Sequence, residues 1–190
     1  MMNRHDEPVP DHLYHYYDES TGPFCNLSDM PLAEAQEVQA SFASRHEYFA
    51  SRRAPGYVET RFGLEDRLRD CFISLGGRPV RSRPHYLTLG RCDWLLGWYP
   101  DPRFVRVALR DVDPAVVSFT YGDLFPAFRW DPPPMGGRVL LIADLAAVIA
   151  ERGLPQDVNS DGALGPLRYI EAQLWSDEPL SHLRRRARVW

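Results

Sequence analysis

Residues 104–121, FVRVALRDVDPAVVSFTY, contain two strand-like segments with no helix between them. The segment 104–109 alternates apolar and polar side chains, and 115–121 is rich in β-branched and aromatic residues. Both patterns predict β-strands. Two strands in direct succession argue against the strand–helix alternation of a Rossmann-like sheet. The stretch therefore favours an α+β fold with a mixed or mostly antiparallel sheet.

Three main helices are predicted around these strands. Residues 31–53 form the first, 58–75 the second and 142–152 the third. The second has an apolar stripe at the spacing of one helix face, which we expect to be buried. This stripe consists of Leu64, Leu68, Cys71, Phe72 and Leu75.

Three further segments have the composition of strands. They are 12–17 (HLYHYY), 85–89 (HYLTL) and 168–175 (RYIEAQLW). A short helix is expected at 94–99. The resulting order begins and ends with a strand, which fits a single α+β domain.

Length and composition are those of one globular domain. The chain has 190 residues, of which 44% are hydrophobic and 25% charged. We expect a flexible N-terminal arm at 1–11, the domain at 12–183 and a basic tail at 184–190. No apolar run is long enough to span a bilayer and no secretory leader is recognisable, so we expect a cytoplasmic protein without a membrane partner.

The charge distribution points to the middle of the chain as the place for an anionic ligand. The formal net charge is −4, so we do not expect general nucleic-acid binding. Residues 58–110 nevertheless contain 10 Arg against 6 acidic residues. Arg78, Arg81, Arg83 and Arg91 lie close to Tyr86, a combination suited to phosphate binding with base stacking. A charged, solvated edge strand is the alternative.

Metal and disulfide chemistry are not predicted. The three cysteines are widely spaced, so we expect free thiols in a reducing compartment. Asp157, Asn159 and Asp161 begin like a calcium loop, but Arg168 stands where a bidentate Glu is needed. We therefore predict a structural turn and no metal site.

The last predicted strand contains the strongest candidate for catalysis. In 168–175, Glu171 and Gln173 share one face because side chains alternate along a strand. A carboxyl and an amide on one face can form a polar site, whereas a solvent-facing sheet surface is the plainer alternative.

Two resemblances extend these predictions. The segments LYHYY, GPF and LSD near the start, SFTYGDLFPAF, and GPLRYIEAQLWSDEPL together resemble a bacterial protein family of unknown function. The layout is also remotely similar to the ADP-ribosyltransferase fold, which opens on a strand with His and places Glu on a late strand.

The second resemblance implies an enzyme that uses NAD as substrate. Glu171 would be the catalytic residue and His15 would orient the ribose. Tyr86 or Tyr121 would stack on nicotinamide. The remaining candidates for cofactor binding are Arg81, Arg83 and Gln173. The alternative is a non-catalytic module that binds a ligand or another protein.

Overall fold

A five-stranded antiparallel sheet forms the centre of the protein. The computed structural model describes residues 8–129, 131 and 133–184. The strand order is β3-β1-β2-β5-β4, and every neighbouring pair is antiparallel. The strands are β1 (His12–Asp18), β2 (His85–Leu89), β3 (Pro102–Ala108), β4 (Val117–Tyr121) and β5 (Ile170–Leu174). The predicted α+β class is confirmed, with the sheet wholly antiparallel.

Helices cover both faces of this sheet. Three of them have ten residues or more, in agreement with the predicted number of main helices. In chain order the helices are α1 (Leu32–Ser41), α2 (Tyr57–Ser74), α3 (Leu124–Arg129), α4 (Ile142–Arg152), α5 (Pro155–Val158) and α6 (Ser181–Arg184). None of the helices in the described part of the chain is long and apolar enough to cross a membrane.

The two faces of β5 serve different purposes. Ile170, Ala172 and Leu174 point into the main hydrophobic core with α4, and we call this side the core face. Glu171 and Gln173 point to the opposite side, here called the cavity face. There α2 and α3 pack around the next residue of that face, Trp175, in a second core. The strand β5 is therefore buried on both sides, and the alternative that Glu171 and Gln173 face solvent is wrong.

The predicted helix at 31–53 is interrupted in the structure. It ends at Ser41, where the hydroxyl donates to the Val38 carbonyl at 2.7 Å and competes with the helical pattern. Turns follow until a short 3₁₀ helix at Phe49–Arg52. The polar run 43–47 has no apolar stripe to bury, so packing does not extend the helix. This irregular segment becomes one wall of the cavity described below.

The stripe of α2 is confirmed in part, with Cys71 half-buried against the second core and the end position exposed. Leu64, Leu68 and Phe72 are buried in the second core, but Leu75 is 48% exposed. The prediction for Leu75 is wrong because α2 ends at Ser74, so the last stripe position lies beyond its regular part.

The chain ends are only partly described. The Asp11 carbonyl accepts a hydrogen bond from Leu109 N at 2.8 Å, and Val9 packs against the main core. The remainder of the predicted arm, 1–7, and the tail at 185–190 lie outside the described residues.

Candidate functional site

A cavity of about 580 Å³ lies on the cavity face of the sheet. This volume is within the range of small-molecule sites, roughly 300–1,000 Å³. Its walls come from β1, β2, α1, the segment that follows α1, the start of α2 and the approach to α3. The lining residues that bear on its chemistry are Asp18, Arg45, Arg53, Tyr57, Arg61, Tyr86, Asp123, Tyr169 and Glu171.

Glu171 places a carboxyl group in this cavity. It pairs with Thr88 on one side and Thr120 on the other, which holds it in the middle of the sheet. Its side chain accepts hydrogen bonds from Leu124 N at 3.2 Å and from Gln173 Nε2 at 3.1 Å. Burial raises the pKa of Glu171 well above its usual value, and repulsion from Asp123 adds to the effect.

Asp123 is the second carboxyl group of the cavity. It stands between β4 and α3, and its Oδ1 accepts from Phe125 N at 2.7 Å. Burial raises its pKa as well, against the opposing influence of Arg61 and Arg53. Two neighbouring, poorly solvated carboxyls resist double ionisation, so the pair holds its last proton to a higher pH than isolated carboxyls do.

Gln173 supports Glu171 from behind and does not line the cavity. Its Nε2 also donates to Thr120 Oγ1 at 3.0 Å, and its Oε1 accepts from Ser118 Oγ at 3.0 Å. Ser118 Oγ in turn accepts from Trp175 Nε1 at 3.0 Å. This network orients the Glu171 side chain, whereas the sequence predicted direct cofactor contact for Gln173.

Tyr86 is the tyrosine that the structure brings to Glu171. It lies on β2 opposite Gln173 and lines the cavity. Its hydroxyl donates to Glu65 Oε1 at 2.7 Å, and the guanidinium of Arg61 lies 4.6 Å from its ring centroid. The ring is therefore fixed in place, with one face occupied by a cation.

Tyr121 lies apart from this group. It belongs to the main core, and its hydroxyl donates to the Gly153 carbonyl at 3.1 Å. It pairs with Ile170, so it shares the core face with that residue. Of the two tyrosines that the sequence left open, only Tyr86 borders the cavity.

His15 does not present a ring nitrogen to the cavity. It lies two residues after Leu13 on β1 and so projects from the core face, although it borders the cavity at its edge. Its Nδ1 donates to the Tyr86 carbonyl at 2.9 Å, and its Nε2 accepts from Phe24 N at 2.9 Å. Burial lowers the pKa of His15 to about 4. The ring is neutral and holds the loop to the sheet, which does not fit the expected ribose contact.

Arg81 and Arg83 are engaged in ion pairs outside the cavity. Arg81 bridges Asp29 and Asp177, the latter at 2.6 Å. Arg83 contacts Asp66 at 2.5 Å and approaches Glu65 at 3.6 Å. These arginines tie the segment before β2 to α2 and to the chain after β5. They do not line the cavity, so the structure does not bring them to Glu171.

Two other arginines, Arg53 and Arg61, line the cavity in place of Arg81 and Arg83. Arg53, Tyr57 and Arg61 are spaced by four residues across the start of α2, and all three line the cavity. The sequence analysis did not predict Arg53 and Arg61, because arginines near a helix start are also common on solvated surfaces. Asp123 was missed because a single Asp after a strand is also a common turn residue.

The loop at 157–167 is organised by its own side chains. Asn159 accepts from Leu164 N and donates to the carbonyls of Gly165 and Leu167, and Asp161 accepts from Ala163 N. Across the residues that the structure describes, no group of three or more His, Cys, Asp or Glu side chains is arranged to hold a metal ion.

Comparisons with protein-family models, with curated proteins and with solved structures find no match for this chain. Any proposal about function therefore has to be argued from the geometry of the cavity.

Proposed function

We propose that the protein is an ADP-ribosyltransferase-like enzyme that binds NAD in the cavity and breaks its nicotinamide–ribose bond. The observation that carries the proposal is the pair of carboxyls on the wall of one cavity, the buried Glu171 and the half-buried Asp123, both with raised pKa. A perturbed acid pair in a cleft of ligand size is typical of catalytic sites.

The chemistry of the bond fits such a pair. When the C–N bond breaks, its electrons leave with nicotinamide and the ribose C1′ becomes oxocarbenium-like, as in glycoside cleavage. A fixed carboxylate stabilises this developing positive charge. The acceptor, water or another nucleophile, then bonds to C1′ and releases a proton, which the pair can receive. We assign charge stabilisation to Glu171, which two donors hold in position.

Aromatic rings supply the apolar part of the site. Tyr57 and Phe125 stack with their centroids 4.9 Å apart and their planes 6° from parallel. Tyr86 and Tyr169 complete this part of the lining. Planar rings of this kind can pack against nicotinamide or adenine. His15 has no part in the proposed mechanism because both its nitrogens are bonded within the fold.

A non-catalytic binding module is the second candidate. The engagement of His15 favours it, because the histidine that the ADP-ribosyltransferase resemblance assigns to the ribose already has both ring nitrogens bonded within the fold. Such a module would bind the same type of ligand and leave it unchanged. Both candidates bind NAD, and only the enzyme cleaves it.

The test combines turnover with binding. Purified protein is incubated with NAD, with and without a mixture of protein and nucleic-acid acceptors, and released nicotinamide is measured. Wild type should release nicotinamide, and Glu171→Gln should lower the rate roughly 10²–10³-fold while remaining folded. Glu37→Gln, an exposed change on α1, is the matched control and should retain full activity.

Each outcome has a clear consequence. A thermal shift with NAD and no nicotinamide release would contradict the enzyme and support the binding module. Neither shift nor release would contradict both candidates for this ligand. Unchanged turnover in Glu171→Gln would remove Glu171 from the mechanism.

A further inference from the structure

We infer that Arg53 and Arg61 form a subsite for the phosphate or diphosphate group of the ligand. This inference rests on the proposed function for the identity of the whole ligand, NAD. The phosphate subsite itself does not require catalysis. Guanidinium groups are well suited to phosphate because they donate two parallel hydrogen bonds to its oxygens.

The two arginines are held as a unit by Tyr57. The Arg53 guanidinium lies 4.4 Å from the centroid of the Tyr57 ring. Arg61 Nη1 donates to the Tyr57 hydroxyl at 3.3 Å. Tyr57 and Arg61 lie on one side of α2 because they are four positions apart, and Arg53 reaches the Tyr57 ring from the extended segment before the helix. Both guanidinium groups therefore border the same part of the cavity.

Arg53 retains its charge and most of its donors for a ligand. Its Nη1 donates to the neutral amide oxygen of Gln39 at 3.0 Å. Within the part of the chain that the structure describes, it forms no ion pair. A guanidinium on a cavity wall with no carboxylate partner keeps N–H donors that an anionic ligand can use.

Arg61 is anchored more firmly. Its Nε donates to Glu65 Oε1 at 2.9 Å and its Nη2 to Asn26 Oδ1 at 2.6 Å. Nη1 uses one proton on the Tyr57 hydroxyl and Nη2 uses one on Asn26. Each of these two nitrogens therefore keeps a second proton for a ligand. Arg61 thus provides a rigid second donor beside Arg53.

Four acidic residues line the cavity, Asp18, Glu34, Asp123 and Glu171, and within the described residues none of them forms an ion pair with Arg53. Asp18 already accepts from Ser20 N at 3.0 Å and from Asp101 N at 3.1 Å, within the turn after β1. Burial and mutual repulsion disfavour full ionisation of the Asp123–Glu171 pair, so the pair carries less than two negative charges and one carboxylate remains for catalysis. Arg53 and Arg61 consequently attract an anion. The carboxyl pair lies elsewhere on the cavity wall and acts on the ribose instead.

Binding of ADP, adenosine and inorganic pyrophosphate by calorimetry tests the subsite in the full chain. Wild type should bind ADP and pyrophosphate, and Arg53→Gln should weaken both by at least about tenfold. Adenosine binding should not change. Arg52→Gln is the matched control, because Arg52 is the sequence neighbour, is exposed, and does not line the cavity.

The result that would overturn the subsite is equal ADP affinity in wild type and Arg53→Gln, or no binding of either anion by wild type. If nicotinamide is released while ADP binding ignores Arg53, the subsite is wrong and the proposed function stands. If ADP binds through Arg53 and NAD is not cleaved, the subsite stands and the enzyme is wrong.

Discussion

Arg61 and Tyr86 donate hydrogen bonds to the same atom, Oε1 of Glu65, while the guanidinium lies 4.6 Å from the phenol ring centroid. Ser28 Oγ donates to that oxygen as well, at 2.7 Å. The side chain of Glu65 is fully buried, so this carboxylate joins α2, β2 and the chain before α1. The cavity wall that carries Arg61 therefore depends on a residue that does not line the cavity.

The first prediction concerns this shared carboxylate. Glu65→Gln should lower the free energy of unfolding by about 3–5 kcal/mol, because it leaves Arg61 buried without its counter-charge. The urea midpoint measures the effect. Glu59→Gln, an exposed change on the same helix, should stay within about 0.5 kcal/mol of wild type. Equal midpoints for the two variants would contradict the assigned role of Glu65.

The second prediction concerns the pH dependence that Glu171 imparts. Its pKa in the folded protein is raised above the unfolded value near 4.5, so folding retains a proton that the unfolded chain releases. The contribution of Glu171 to the stability of wild type should therefore fall as the pH rises above 4.5.

Glu171→Gln cannot lose that proton and keeps an oxygen for Leu124 N. Its free energy of unfolding should exceed that of wild type at pH 7, and the gain should vanish below pH 4.5. Urea titrations at pH 4, 6 and 8 provide the comparison. A variant less stable than wild type at pH 8 would show that the carboxylate is well solvated or paired.

The third prediction concerns His15, whose shift has the opposite sign. Its pKa is about 4 in the folded protein against 6.5 when unfolded, so its stabilising effect is complete above pH 6.5. Acidification to pH 4 and below should remove up to about 3 kcal/mol. His15→Gln should show a flatter stability profile between pH 4 and 6.5, whereas the exposed change His46→Gln should follow wild type. Parallel profiles for all three proteins would mean that the His15 ring is charged or solvated.

The fourth prediction separates the two ends of the α2 stripe. Leu68→Ala removes a fully buried side chain from the second core and should cost roughly 2–5 kcal/mol. Leu75→Ala removes one that is 48% exposed and should cost much less. Thermal and urea unfolding of the two variants give the comparison. Similar losses would place Leu75 in the core after all.

Local pattern was sufficient for most of the sheet and for α4. The strand at 85–89 and the helix at 142–152 have the predicted bounds, because their periodicity and their flanking breakers agree. The segment 31–53 was predicted less well. A polar run carries no periodic signal, so only the tertiary fold decides where α1 stops.

The candidate site was predictable only in part. Glu171 stood out because strand alternation alone places it beside Gln173 on one face. Its neighbour Asp123 comes from another strand end, and no spacing in the sequence links the two. Arg81 and Arg83 illustrate the converse: their density suggested a ligand, but Asp29, Asp66 and Asp177 approach them from distant parts of the chain.

The position of β5 in the sheet has a consequence for any measurement of function. A slip of one residue in its pairing would bring Glu171 into the main core and Ile170 to the cavity, so register and site are lost together. The amount of assembled site must then equal the amount of native protein throughout a denaturant titration. Ligand response and near-ultraviolet circular dichroism should fall along one curve, with no folded but incompetent population between them.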